Sequence, residues 1–351
     1  MARWKHRRVL GFPAQGRQPM GEPLITSHDR ILGLFPHPDD ESLGAGILLQ
    51  QATKAGASLR LVFLTSGEGN AWPQRVLDRK LFLKDEDRRR FAFRRKQEVA
   101  RALKTLGLPE TAATFLDLPD TGLATLLMAS GETLLQRVEA VVEAFRPTLV
   151  LAPLLADRHP DHNATAVLAC ALQARWGFRL WAYATHAAVA SEVQGVTVAG
   201  TPREQEAKAE AIAAHRSQLV FRRRFHMGFA RLPDRFFPIT APPPRSRVEA
   251  WLRGQKLEVA FTLAPGLRSF RAPILTVVTL DEKLLGFKVC LGHNRRPLPE
   301  GAEWEERKLS PHRHRGQVVL RLPAPPQLAF VKVSRPFFLY DENGFVSILQ
   351  G

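Results

Sequence analysis

The chain has 351 residues, 45% of them hydrophobic, so it can bury a large core and is long enough for one large domain and a smaller one. Its two cysteines lie far apart, which argues against a disulfide framework or a cysteine zinc site, and we find no apolar run long enough for a signal peptide or a membrane-spanning helix. The formal net charge of +16 favours anionic partners, but no recognised nucleic-acid motif accompanies it.

The first part of the chain contains an irregular segment followed by a regular one. Residues 1–28 are rich in Pro, Gly and Arg without periodicity, which predicts a basic extension at the surface. An apolar strand pattern at 30–35, a helical pattern at 42–55 and a second apolar strand at 59–65 then follow one another. This order is typical of a βαβ unit.

The same alternation continues to about residue 240. Strands are predicted at 114–119, 148–153 and 178–185, and helices at 84–106, 132–145, 161–175 and 203–219. We therefore predict an α/β domain over 29–240 that is Rossmann-like, with a mainly parallel sheet and helices on both faces. Ligands of such sheets bind outside the carboxyl ends of the strands.

The pattern changes after the Pro-rich segment 241–245. Short strand-like runs follow one another, namely KLEVAFTL, ILTVVTL, LLGFKVCL, QVVLRL, LAFVKVS and GFVSIL. They predict a smaller, all-β, sandwich-like accessory domain over 246–351. The one helix candidate in this region is the segment from Val248 to Leu252.

The polar turn after the first strand contains residue types that bind metal ions in hydrolases. His37, Asp39, Asp40 and Glu41 follow the apolar run 31–35 and precede a helical pattern. A metal hydrolase needs N and O ligands that leave a position open for water, and a carboxylate to take the proton of that water. His37 and Asp40 suit the ligands and Asp39 suits the base. The alternative for these acidic residues is that they only cap the helix and complement its dipole.

A second polar cluster, ADRHPDHNATA, follows the predicted strand at 148–153. The PHPDDE motif at the first turn and the HPDH motif in this cluster together resemble the PIG-L (LmbE-like) family of zinc-dependent de-N-acetylases. That family removes acetyl groups from N-acetylglucosamine conjugates. The resemblance covers roughly residues 30–225 and implies that His37, Asp40 and His162 bind Zn²⁺, with Fe²⁺ as an alternative ion.

The resemblance also implies the catalytic residues. Asp39 corresponds to the general base of the family. His159 corresponds to the residue that polarises the carbonyl and stabilises the oxyanion, and the protonated imidazolium is one form in which this histidine can act. Asp157 and Asp161 suit an orienting role, in which a carboxylate accepts an N–H from an imidazole. Glu41 is expected to orient a ligand or to accept amides of the first helical turn.

Substrate contacts are predicted at three positions, each with an alternative. Gly67 permits close approach of a sugar to the backbone or simply forms a turn. Arg95 and Glu98 match an Arg-x-x-Glu pattern of the family, so Arg95 faces the pocket or, alternatively, forms a helical surface pair. Asp120 stands where relatives place a residue that meets sugar hydroxyls, or it is a turn former. His186 and His215 are given no metal role.

The sequence therefore predicts a zinc-dependent amidase that acts on an N-acetyl sugar conjugate, with an anionic substrate and a homo-oligomer as further expectations. A cytoplasmic location is expected, and peripheral contact with an anionic membrane surface is a further expectation. The alternatives are a metal-dependent hydrolase of a phosphoester or of a non-sugar amide, and a basic protein that binds nucleic acid or glycan and carries a vestigial site.

Overall fold

The structure is a computed structural model that describes residues 24–243, 247–263, 272–291, 298, 300–310, 315–335, 341 and 343–349. Most of the basic extension predicted for residues 1–28 therefore lies outside the described residues. The end of the Pro-rich segment, residues 244 and 245, also lies outside them.

A seven-stranded sheet, ordered β3-β2-β1-β4-β5-β7-β6, forms the first part of the fold. Its strands are β1 Arg30–Phe35, β2 Ser58–Thr65, β3 Ala113–Leu118, β4 Leu149–Pro153, β5 Arg179–Tyr183, β6 Val196–Val198 and β7 Asp234–Phe237. Strands β1 to β5 pair in parallel, whereas β7 pairs antiparallel with both β5 and β6. The expected mainly parallel sheet is confirmed.

Helices cover both faces of this sheet. They are α1 Asp40–Lys54, α2 Ala71–Asp78, α3 Asp85–Thr105, α4 Leu123–Phe145, α5 Pro160–Trp176, α6 Pro202–Ala214 and α7 Arg216–Phe229, with a short 3₁₀ turn at Glu110–Ala112. In β1, Leu32 and Leu34 join the core under α4 and α5, while Ile31 and Phe35 join the core under α1 and α3. Because both faces are buried, the strand is a continuous apolar run. Among the described helices, none combines the length and apolar content needed to cross a bilayer.

The chain after residue 247 forms two four-stranded antiparallel sheets, ordered β11-β10-β14-β15 and β12-β13-β9-β8. The strands are β8 Val248–Arg253, β9 Lys256–Thr262, β10 Ile274–Leu280, β11 Leu284–Cys290, β12 Glu303–Leu309, β13 Arg315–Arg321, β14 Leu328–Ser334 and β15 Val346–Leu349. Val259 and Val331, one from each sheet, share a core, which agrees with the expected sandwich. Phe330 on the opposite face of β14 packs into the core under α4, so this sheet is buried on both sides. The domain boundary at 246 stays a prediction.

Two local predictions were wrong. The helix candidate from Val248 to Leu252 is strand β8, in which Val248 and Leu252 are buried and Glu249 is exposed, so its period is two. The helix predicted at 203–219 is two helices that meet at His215. The first error comes from a short segment, where local pattern does not separate strand from helix. The second comes from a break at a single residue, His215, which the helical pattern of the sequence does not reveal.

The order of the strands determines where a site can form. From β1 the chain adds β2 and β3 on one side and later β4 and β5 on the other, so β1 and β4 are neighbours at the point where the winding direction changes. Ligands of open α/β sheets bind outside the carboxyl ends of the strands at such a point. The PHPDDE turn follows β1 and the HPDH turn follows β4, so the fold brings the two motifs together.

A buried ion pair links α6 to β7 beneath α1. Lys208 Nζ lies 2.7 Å from Asp234 Oδ1, and Asp234 Oδ2 accepts the backbone N–H groups of Ile47 and Leu48. We expect Lys208→Met to lower the free energy of unfolding by about 3–5 kcal/mol, because it leaves a buried carboxylate unpaired. Chemical denaturation measures the loss.

A matched control for this pair is Lys54→Met. The Lys54 side chain is 63% exposed and pairs with Glu204, so its removal is expected to cost less than about 1 kcal/mol. Equal losses for the two variants would contradict a structural role of the buried pair.

Candidate active site

Three potential ligand atoms converge at the carboxyl ends of β1 and β4. His37 Nδ1 lies 3.2 Å from His162 Nε2 and 3.5 Å from Asp40 Oδ2, and His162 Nε2 lies 3.4 Å from Asp40 Oδ2. His37 precedes α1, Asp40 is the first residue of α1, and His162 lies in the first turn of α5. All three side chains are buried. Two nitrogens and one carboxylate oxygen therefore form a nearly equilateral triangle.

This triangle has the dimensions of a metal site. Three ligands of a tetrahedral zinc ion, at bond lengths of ~2.0–2.2 Å, are separated by about 3.3–3.6 Å. The observed separations of 3.2 to 3.5 Å agree with that geometry. The donor set of two imidazoles and one carboxylate is that of a catalytic zinc site, which keeps a position for water. The residues present thus fit a divalent metal.

The outer nitrogen of each imidazole faces carboxylates. His37 Nε2 lies 3.2 Å from Asp120 Oδ1 and 3.4 Å from Asp161 Oδ2, and His162 Nδ1 lies 3.2 Å from Asp157 Oδ2. Burial opposes a charge on His162, yet Asp40 and Asp157 raise its pKa. Carboxylates in this position fix the orientation of a ligand imidazole and increase its basicity. The geometry therefore gives Asp157 and Asp161 the contacts expected of orienting residues.

Asp120 has a similar contact, which was not expected from the sequence. Its Oδ2 accepts the backbone N–H of Gly69 at 2.8 Å, while its Oδ1 faces His37. The structure thus shows Asp120 holding both the His37 imidazole and the loop at Gly69. Contact with a sugar hydroxyl stays a prediction.

Two other sets of ligand atoms lie within 4.8 Å of one another among the described residues: His37, His159 and His162, and His37, Asp120 and Asp161. The first includes His159, whose Nδ1 already accepts the N–H of Asp161. In the second, the Asp161 carboxylate accepts the N–H groups of Thr121 and Leu123 at 2.7 and 3.0 Å. We favour the set with Asp40, because its three separations of 3.2 to 3.5 Å match a metal site. Asp40 Oδ2 also accepts the backbone N–H of His37 at 3.0 Å, which holds the carboxylate in this position.

The Asp39 carboxylate is held from two sides beside the triangle. Arg95 lies 3.4 Å from its Oδ1 and His226 Nε2 lies 3.4 Å from its Oδ2. Although burial would raise the pKa of Asp39, the hydrogen bond from His226 and the charge of Arg95 lower it. Asp39 precedes α1, but its side chain makes no capping hydrogen bond to the described helix. The capping alternative therefore lacks its defining contact.

The contacts of Arg95 differ from the predicted contact with substrate. Its guanidinium is buried and donates to the carbonyl oxygens of Gly67 and Pro38 as well as facing Asp39. Gly67 has a φ of +68°, and a Cβ at this position would lie 1.7 Å from Arg95 Nη1. A side chain at 67 would thus displace Arg95. In the structure, Arg95 holds the PHPDDE turn and Gly67 leaves room for its guanidinium. Contact of either residue with a sugar stays a prediction.

His159 caps α5 and points its ring into the same cluster. Its Nδ1 accepts the N–H of Asp161 at 3.2 Å, and its ring centroid lies 4.6 Å from that of His37. Burial and the neighbouring histidines hold the pKa of His159 well below its usual value. A neutral imidazole that accepts through Nδ1 carries its proton on Nε2. The structure therefore favours a neutral donor at this position over an imidazolium.

Three further histidines surround the site. His215 Nε2 lies 2.8 Å from Glu41 Oε1, and the His186 ring lies 4.9 Å from the His162 ring. His226, described above, contacts Asp39. Only His186 carried a usable signal, since it follows β5 by three residues and so lies at a strand end like the two motifs. His215 and His226 belong to the α6–α7 region, and only the tertiary fold brings them here.

Comparison with known proteins identifies relatives of this region. Residues 32–172 match the family model PIG-L, described as GlcNAc-PI de-N-acetylase. A diacetylchitobiose deacetylase of Thermococcus kodakarensis is 29% identical over 142 residues, which are 40% of this chain and 47% of that protein. A 1D-myo-inositol 2-acetamido-2-deoxy-alpha-D-glucopyranoside deacetylase of Mycobacterium avium is 44% identical over 55 residues, 14% of this chain and 18% of that protein.

The chain thus matches less than half the length of either of these curated relatives. Among solved structures, a conserved protein from Thermus thermophilus is 27% identical, with a TM-score of 0.45 over 62% of this chain and 96% of that protein.

Proposed function

We propose that this protein is a metal-dependent hydrolase that removes the acetyl group of an N-acetylglucosamine-type conjugate. The premise is the match of residues 32–172 to the PIG-L family model. The observation that carries the proposal is the triangle of His37, Asp40 and His162, with separations of 3.2 to 3.5 Å and the Asp39 carboxylate beside it. The two curated relatives described above are named deacetylases, which supports the same reaction class.

His37, Asp40 and His162 would hold the metal. Zn²⁺ suits two imidazoles and a carboxylate, and Fe²⁺ is the alternative, because sets of this kind also hold ferrous iron. When bound, Zn²⁺ supplies a water whose pKa is near ~7 and polarises a carbonyl oxygen. With such a water, a weak carboxylate base is sufficient.

Asp39 is the base in the proposed reaction. The oxygen of water adds to the carbonyl carbon of the acetamide while Asp39 takes one proton. The bond between that carbon and nitrogen then breaks, acetate leaves, and the proton held on Asp39 passes to the amine. Arg95 and His226 keep the Asp39 carboxylate in place and lower its pKa against the effect of burial, so that it is ionised before it accepts the proton.

His159 stabilises the oxyanion that forms when water adds to the carbonyl. Its Nδ1 accepts the N–H of Asp161, which places the proton of the neutral ring on Nε2, and Nε2–H is the donor in this role. A neutral donor held in place before the reaction needs no rearrangement as the charge develops. The neutral form follows from burial and from the charges of neighbouring histidines, which lower the pKa of His159.

We expect His159→Ala to lower kcat by ~10²–10³, because it removes one donor to the oxyanion. The KM value and the metal content should change little. His159→Ser separates this role from helix capping, since serine caps a helix but lacks the imidazole. Steady-state kinetics should show the same loss for both variants. Recovery of activity in His159→Ser alone would assign the loss to the cap.

The substrate is proposed to be an N-acetylglucosamine conjugate that carries an anionic group, because the chain has a formal net charge of +16. The test is to supply the metal-replete protein with N-acetylglucosamine linked to inositol, malate, a nucleotide or a polyprenyl carrier and to measure new free amine. Release of amine from at least one conjugate is expected. Hydrolysis of a phosphoester without any amine release would overturn the proposal.

A further inference from the structure

Exposed large apolar side chains are concentrated in a few elements that contact one another. Of the nine that are exposed among the described residues, seven belong to α2, the segment after it, α3 and α7. We call them the apolar surface: Trp72, Val76, Leu77, Leu81, Phe82, Phe93 and Phe221. Leu81 and Phe82 are 81% and 88% exposed. Single exposed apolar residues are ordinary, but a group of this size marks an interaction site.

The parts of the apolar surface are connected by specific contacts. Asp78 at the end of α2 pairs with Arg90 and Arg94 of α3, and Lys80 pairs with Asp87. On the other side, α2 packs against α7, which carries Phe221. The segment that presents these side chains is therefore anchored to two longer helices.

The surroundings of the apolar surface are strongly basic. Residues 71–94 contain eight basic and four acidic residues, and three of the acids, Asp78, Glu86 and Asp87, are paired with basic side chains. Residues 216–224 contain four basic residues and no acidic one. Arg89 on α3 and Arg223 on α7 are exposed cations of the same elements that carry the apolar surface.

We propose that the apolar surface docks on a lipid bilayer that contains anionic lipids. Apolar side chains that enter the boundary between headgroups and acyl chains, with Lys and Arg facing anionic headgroups, are the components of interfacial membrane binding. The long side chains of the cations can reach the headgroups while the aromatic and aliphatic groups lie deeper.

Other occupants fit this surface less well. Residues 1–23 of the chain contain five Lys or Arg and one Glu, so their charge repels them from a basic surface. A second copy of the chain would bring like charges together. A single-stranded nucleic acid would stack on aromatic rings, but Val76, Leu77 and Leu81 offer no stacking surface.

Docking by this surface would bring the active site close to the bilayer. Helix α2 begins directly after Asn70, and the neighbouring Gly69 donates its N–H to Asp120, whose other oxygen faces His37. The inference goes beyond the proposed reaction and does not depend on it. A protein that fails to deacetylate any conjugate can still bind vesicles.

Vesicle flotation tests the inference with the full chain. Vesicles of phosphatidylcholine with about one third phosphatidylglycerol should bind the protein, pure phosphatidylcholine vesicles should bind it at least ~10-fold more weakly, and added salt should reduce the binding. The double variant Leu81→Ser/Phe82→Ser should lose at least ~10-fold in binding, because both apolar anchors are removed. Arg89→Glu/Arg223→Glu should lose binding to the anionic vesicles.

The control is Leu285→Ser, which removes a side chain that is 61% exposed on β11 and lies outside the apolar surface. It should bind vesicles like the unchanged protein, and all variants should keep the same melting temperature. The inference is overturned by absence of binding to anionic vesicles at low salt, by equal binding to neutral and anionic vesicles, or by an equal loss in Leu285→Ser. Binding of single-stranded RNA through Phe82 and Arg89 without vesicle binding would also overturn it.

Discussion

Asp39→Asn is expected to lower kcat by ~10²–10⁴ while the protein keeps its metal, because an amide cannot take the proton of water. Asparagine has nearly the same size as aspartate and can stay between Arg95 and His226, so the turn should keep its shape. Steady-state kinetics together with metal analysis measures both effects.

The matched control for Asp39→Asn is Asp85→Asn. Asp85 is also an acidic residue at the start of a helix, but it is exposed on α3. Its replacement should leave kcat unchanged. If Asp39→Asn keeps kcat within a few-fold of the unchanged protein, another group is the base and the proposed reaction is wrong in its central proton transfer.

Asp40→Ala is expected to abolish both metal binding and activity, because it removes one of the three proposed ligand atoms. Replacing an outer carboxylate usually costs ~10–100-fold in metal affinity, so loss of a direct ligand should cost more. Isothermal titration with Zn²⁺ measures the change.

A graded series makes this prediction specific. Asp120→Asn alters a carboxylate 3.2 Å from the outer nitrogen of His37, and it should weaken zinc binding by ~10–100-fold without abolishing it. Asp40→Ala and His162→Ala should both bind zinc more weakly than Asp120→Asn does. Zinc affinity in Asp40→Ala that equals the affinity of the unchanged protein would remove Asp40 from the site.

The α/β fold was predictable because its strands are buried on both faces and its helices lie between them. The run from Ile31 to Phe35 contains no polar side chain, since alternate residues enter two different cores. Strands of three or four residues, such as β6 and β7, are too short for a pattern of this kind. Strand β12, with the sequence EWEERKL, was missed because its composition is highly charged.

The candidate site was predictable where its residues are neighbours in sequence. His37, Asp39 and Asp40 occur within one turn, and the rule that sites follow strand ends places them at the edge of the sheet. The resemblance to the PIG-L family added the assignment of roles to His159 and His162.

The rest of the site depends on contacts over long sequence separations. His226 reaches Asp39 from α7, and Arg95 reaches it from α3. Spacing along the chain does not reveal such contacts, and the contact of Arg95 with Asp39 was not predicted. The sequence also did not reveal that Leu81 and Phe82 are exposed, because two adjacent apolar residues are more often part of a core.

Acetate release as a function of added zinc tests the proposed metal-dependent deacetylation most directly. The metal-free protein is titrated with Zn²⁺ in the presence of an N-acetylglucosamine conjugate that yields free amine, and acetate is measured. We expect no release without metal, a rise that is complete at about one equivalent per chain because the proposed triangle of ligand atoms would hold one ion, and equal amounts of acetate and amine. Release that is already complete in the metal-free protein, or full zinc binding without acetate from any conjugate, would contradict the proposed reaction.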